Sequence, residues 1–348
     1  MKKTTLALIA SLPLMVAPLV QAVSVSTSPV GFINITINGT DNGGLTAISV
    51  PMLPEVLYSG VIADVTVDVD GSTITDNAAT WANDDYAVGD PNGNAAYYAE
   101  ITNHTDATKV GTILEITASS GSAKSLTFDM VDATGFEGAS YSIRKYKTLA
   151  DVFGSDNSAG LFSAGSTKDA DVIYKVGGGT WQRYFYQDAP AFLGGNGWRI
   201  AGDTRTDMSG VVISPDEGLL IRRRQSSDIS ITLPGSIKVN DSRTTITKGF
   251  NLIALSFPVE RTLDQLGLDS LRSGGSTSDA DVVYMISDTG QFDRYFLQEA
   301  PAFLGGNGWR KAGDTRTDQS GLIIPPGTSV IVKRTLDDAI DWAVAKPF

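Results

Sequence analysis

The chain has 348 residues, 27 of them Lys or Arg and 39 Asp or Glu, with one His and no Cys. The lack of Cys excludes disulfides, thiolate metal sites and a Cys nucleophile, and a single His104 leaves room for at most one His-based catalytic arrangement. The length allows two or three domains with a sizeable core.

Met1 to Ala22 reads as a secretory signal peptide. Lys2 and Lys3 precede an apolar run from Leu6 to Val20, and Val20 and Ala22 stand at the −3 and −1 positions of a cleavage site. Pro13 and Pro18 inside the run favour a cleaved peptide over a membrane anchor. Removing it leaves 326 residues, in which no stretch is long and apolar enough to span a membrane as a helix. Export to the periplasm, the cell surface or the medium is the expectation.

Residues 23–140 carry two basic residues, Lys109 and Lys124, against fifteen acidic ones, whereas residues 141–348 carry 23 basic and 24 acidic. A surface so acidic repels nucleic-acid phosphates, so no nucleic-acid partner is expected. The shift suggests a first domain over 23–140. Its own pattern is β: Ile33, Ile35 and Ile37 alternate with polar residues, as do Val65, Val67 and Val69 ahead of an Asp70-Gly71 turn. Tyr97 to Thr102 and Thr112 to Ala118 form a second expected hairpin, and Leu126 to Met130 a further strand.

The remainder is an internal repeat. Residues 189–210 and 300–321 differ at only two positions of 22, and the match extends from Asp169-Ala-Asp171 against Asp279-Ala-Asp281 to Ile213–Arg223 against Ile324–Arg334. Self-similarity at an offset of 110 to 111 residues means two copies of one domain, expected over 141–241 and 242–348. Each copy opens on a short helix signal, Thr148 to Gly154 and Thr262 to Gly267. Hairpins follow, turning through Gly177-Gly178-Gly179 and through Ser287 to Gly290. Ile229, Ile231 and Leu233 alternate as a strand, and the repeat assigns Ile340, Trp342 and Val344 to its counterpart. The predicted class is all-β, as tandem antiparallel sandwiches or small barrel-like domains with minor short helices. The long alternating strands of an outer-membrane barrel are not sustained.

Tyr97-Tyr98-Ala-Glu-Ile, Thr148-Leu-Ala-Asp-Val-Phe-Gly154, Tyr184-Phe185-Tyr186, Trp198-Arg199 and Ile213 to Arg223 together resemble an uncharacterised family of exported bacterial proteins. That family has multiple paralogues, signal peptides and no known activity. The resemblance implies export and β architecture and assigns no site. The second copy departs from the pattern at Pro326 to Ser329, against Pro215 to Gly218.

Candidate chemistry is sparse. His104 lies between two expected strands with no Gly-x-Ser-x-Gly elbow, and reads as a solvated loop residue. Asp169/Asp171 and Asp279/Asp281 offer carboxylate pairs for glycan cleavage, although Asp-x-Asp at a strand entrance also caps turns. Calcium is the one metal ion the composition suits, through Asp64, Asp68 and Asp70 or through Asp84, Asp85 and Asp90, and neither set matches an EF-hand loop. Arg222-Arg223-Arg224 reads as a solvated strand end. The duplicated loop is the most specific feature. As a ligand site it offers Trp198, Arg199, Asp203 and Arg205, with Trp309, Arg310, Asp314 and Arg316 in the second copy, the Trp rings stacking on a sugar or partner. As a turn it needs the Gly backbone angles, with Trp as a packing plug. The leading expectation is a non-enzymatic envelope, surface or matrix protein acting through binding or assembly, with glycans, other envelope proteins or its own copies as partners. The alternative is a polysaccharide-binding or carboxylate-based glycan-cleaving protein.

Overall fold

The structure, a computed structural model, describes residues 29–348 except Val88, Met130, Val131, Gly178, Gly179 and Asp288. The expected signal peptide and part of both repeat hairpin turns lie outside the described residues. Almost every element is an antiparallel strand, and no described sheet closes into a barrel. The all-β expectation holds.

The strands group differently from the composition. Val30–Ile37, inside the acidic region, pairs along its whole length with Ile229–Ser236, and Leu45–Ile48 pairs with Leu219–Arg222. In the second copy the same places are taken by Ser242–Ile246 against Ile340–Val344 and by Gly249–Ala254 against Ser329–Arg334. Counted this way, each copy has a five-stranded sheet of the same order. In the first it runs 197–200, 180–187, 172–177, 219–222, 45–48, and in the second 308–311, 292–298, 282–286, 329–334, 249–254. Each core lies between that sheet and a two-stranded ribbon, with Ile37, Trp198 and Ile231 in one and Ile246, Trp309 and Trp342 in the other.

The boundary expected at residue 140 is therefore displaced. The first copy is split, and residues 54–146 are inserted into it as a separate sandwich of two four-stranded sheets around Ile101, Leu114, Phe128 and Tyr141. Tyr58–Val61, near the entry, pairs with Ser140–Lys145, near the exit, so the insertion leaves and returns at one place. Insertions whose ends lie close together disturb a host fold little.

Local signals behave as the sequence predicts, with one difference. Leu149–Phe153 is a helix whose Thr148 hydroxyl accepts from the Asp151 N–H while the Asp151 carboxylate accepts from the Thr148 N–H. The second copy has only a 3₁₀ turn, Asp264–Leu266, because left-handed Gly267 closes it one residue sooner than Gly154 closes the helix.

The two copies pack sheet against sheet about a pseudo-two-fold. Ala47 and Leu220 meet Leu252 and Ile331, which occupy the same positions in the other copy. The edges are joined reciprocally. The Ser49 N–H donates to the Gly327 carbonyl at 2.8 Å, and its equivalent, the Ala254 N–H, donates to the Asp216 carbonyl at 2.9 Å.

Candidate functional site

The repeated loops are built from below. The buried Gln187 amide donates to the carbonyls of Leu193, Gly195 and Thr204 at 3.1, 2.9 and 3.2 Å. Arg199 donates to those of Thr204, Trp198 and Gly194 at 3.0, 2.8 and 2.9 Å. Gln298 and Arg310 repeat this in the second copy, where Arg310 also reaches Asp318 at 3.0 Å. Gly194 has φ 106°, and a Cβ there would stand 2.1 Å from the Thr204 carbonyl oxygen, so only glycine closes the turn.

This corrects the ligand-stacking reading. Trp198 is 0 % exposed and Trp309 2 %, both in the cores, and Arg199 and Arg310 spend their donors on loop carbonyls. All four are buried. Asp203 and Asp314 cap their own turns, and hydrogen bonds from Thr206 and the Arg205 amide pull Asp203 down to about 2. Of the eight proposed residues, Arg205 and Arg316 alone are exposed without capping a turn. What the frames present outward is instead apolar: Phe192 and Phe303, 75 % and 76 % exposed, each beside an exposed Leu193 or Leu304.

The Asp-x-Asp pairs are also structural. Asp171 is buried, accepts from Arg223 Nη1 at 2.9 Å, and takes the Phe162 and Arg224 N–H groups at 2.7 and 2.6 Å. Asp281 does the same for Arg334, Arg272 and Thr335. Arg223 is thus a core partner, not a solvated strand end. Asp169 and Asp279 accept from Ser166 and Ser276. Asp64 and Asp68 stand exposed along one strand with Asp70 in the turn beyond it, and among the described residues no three His or carboxylate groups gather to hold a metal ion. Asp85 caps Ala82, while Asp90 clamps the insertion to the first copy through the N–H groups of Asn92, Asn94 and Val212. His104 is an exposed loop residue whose Nδ1 accepts from the Asp106 N–H at 3.0 Å.

A pair of grooves lies where the copies meet, one of about 720 Å³ roofed by the insertion and one of about 690 Å³. They are lined by equivalent positions but differ in chemistry. The roofed groove holds Lys175, Ser214, Asp216 and Glu217, where the other holds Met285, Pro325, Gly327 and Thr328. Lys175 Nζ lies 2.7 Å from Glu217 Oε2, and Asp216 accepts from Ser214 and from Thr244 Oγ1, the latter at 2.6 Å. Glu217 Oε1 finds no hydrogen-bond partner, and the Tyr146 hydroxyl lies beside Ser214. No family model matches the chain, and no curated protein or solved structure does either.

Burial pushes Glu217 up to about 7 despite the attraction of Lys175. The unfolded side chain titrates near 4.5, so the folded protein keeps a proton that the unfolded chain loses between the two values. Stability is present below that window and falls as pH rises through it. Glu217→Gln is expected to flatten the dependence of Tm on pH between about 4.5 and 7, and an unchanged slope would refute the assignment.

Sequence reading missed both outward features. Phe192 and Leu193 were hidden inside a loop whose identity drew attention to Trp and Arg. The groove had one visible signal, the change from Ser214-Pro-Asp-Glu217 to Pro325-Pro-Gly-Thr328 just after the stretch, 189–210 and 300–321, in which the copies match almost letter for letter.

Proposed function

We propose that the chain is an exported, non-enzymatic protein of the cell envelope, surface or matrix that acts through binding or assembly. The observation that carries this reading is the duplicated apolar loop tip. Phe192-Leu193 and Phe303-Leu304 are exposed on turns whose carbonyls are bound by buried Gln and Arg side chains. Such preorganised apolar residues lose little freedom when a partner covers them. The secretory start of the sequence and its resemblance to exported proteins support the location. In each carboxylate pair first considered for glycan cleavage one member, Asp171 or Asp281, is engaged in a buried ion pair, which favours binding over hydrolysis.

The experiment is fractionation of the native cells with protease added before lysis. Degradation on intact cells is expected. Protected, freely soluble periplasmic protein would contradict the surface role.

A further inference from the structure

We propose that the roofed groove between the two copies is a binding site for an uncharged oligosaccharide. This goes beyond the loop-tip reading and does not depend on it.

The duplication supplies an internal control. The two grooves share their scaffold, yet ionic side chains are concentrated in one of them, with Lys175, Asp216 and Glu217 grouped beside Ser214. A purely structural role would be met equally by Met285, Pro325, Gly327 and Thr328, which hold the same positions in the companion groove. The insertion also covers only this groove, contributing Asn94, Ile113 and Glu115 to its wall.

One polar atom in the wall is left unmet, Glu217 Oε1. Tyr146, 3 % exposed, lines the groove with its hydroxyl beside Ser214, whose own hydroxyl donates to Asp216. A buried polar group without a partner is costly, and a ligand group can recover that cost.

These groups define the ligand. The Glu217 oxygen wants a donor, and a phenol both donates and accepts, so a polyhydroxyl compound suits both. A simple cation would meet Lys175 and Lys248. An anion would meet Glu115, Asp216 and Glu217. Trp181 and Phe250, 41 % and 50 % exposed, line the same groove and supply aromatic surface against which the apolar C–H face of a sugar can pack. The volume is that of a small-molecule site, roughly 300–1,000 Å³.

The test is titration calorimetry of the mature protein against neutral oligosaccharides of glucose, galactose, mannose and N-acetylglucosamine, with chitosan oligomers as the cationic contrast and alginate oligomers as the anionic one. A neutral oligosaccharide is expected to bind. Trp181→Ala and Tyr146→Phe are each expected to weaken it about tenfold or more, and Phe292→Ala, at the position of Trp181 in the other copy, to leave it unchanged. Tyr146→Phe removes a single hydroxyl and keeps the buried ring, so it tests the groove even if bulkier changes disturb it. No binding of any neutral sugar up to about 10 mM, preference for a charged series, or affinity unaltered by both Trp181→Ala and Tyr146→Phe would each overturn the proposal.

Discussion

Asp281→Ala is expected to lower the stability of the second copy by about 3–5 kcal/mol, and Asp171→Ala to do the same in the first. Each carboxylate is fully buried, and its removal strands a guanidinium, Arg334 or Arg223, that is almost as buried. It also frees backbone N–H groups at Arg272 and Thr335, or at Phe162 and Arg224. Asp281→Asn keeps an acceptor for one of those N–H groups and loses the charge opposite Arg334, so a somewhat smaller loss is expected. Denaturant unfolding measures both. A shift below about 1 kcal/mol for the alanine variants would reject the buried network and return these aspartates to the list of groups available for chemistry.

The second large effect separates two tryptophans that the sequence makes look alike. Trp198→Ala and Trp309→Ala each empty a core and are expected to lower stability by about 3–5 kcal/mol. The phenylalanine variants are expected to diverge. Trp198 Nε1 donates to the Gly154 carbonyl at 2.8 Å, so Trp198→Phe loses a hydrogen bond as well as volume. Trp309 Nε1 is buried without a partner, because the corresponding end of the second copy is served by Trp342 Nε1, which donates to the Leu266 carbonyl at 2.7 Å. Trp309→Phe therefore removes an unmet donor and is expected to be the milder change by about 1 kcal/mol. Equal losses in thermal unfolding would contradict this account of the two cores.

Much of the fold is legible because strands announce themselves locally. Ile33, Ile35 and Ile37 alternate, Thr148 and Asp151 stand at capping-box spacing, and the repeat settles the final strand at Ile340–Val344. Pairing across some 200 residues leaves no such mark. Residues 30–53 contain one acid and no base, so charge grouped them with the acidic block, although their strands complete the first copy. Their counterparts at 242–254 keep little more than the core isoleucines, Ile246 for Ile37 and Ile253 for Ile48.

The candidate sites were legible only as a list of residues. A Trp in a Gly-rich loop reads equally as a sugar platform or as a core plug. The difference lies in which face of Gly197–Ile200 meets the ribbon, a tertiary fact. Gln187 carried no sequence signal at all, yet with Arg199 it holds the loop that the repetition singled out.

The claim that the loop tips are the working surface is tested most directly by retention of the purified mature protein on isolated envelopes of its source cells. Phe192→Asp and Phe303→Asp each change an exposed side chain and are expected to leave circular dichroism and Tm as in the wild type. Each single variant is expected to weaken retention, and the double variant to abolish it, because two linked contacts hold far more tightly than one. A folded double variant retained as well as the wild type would contradict the account.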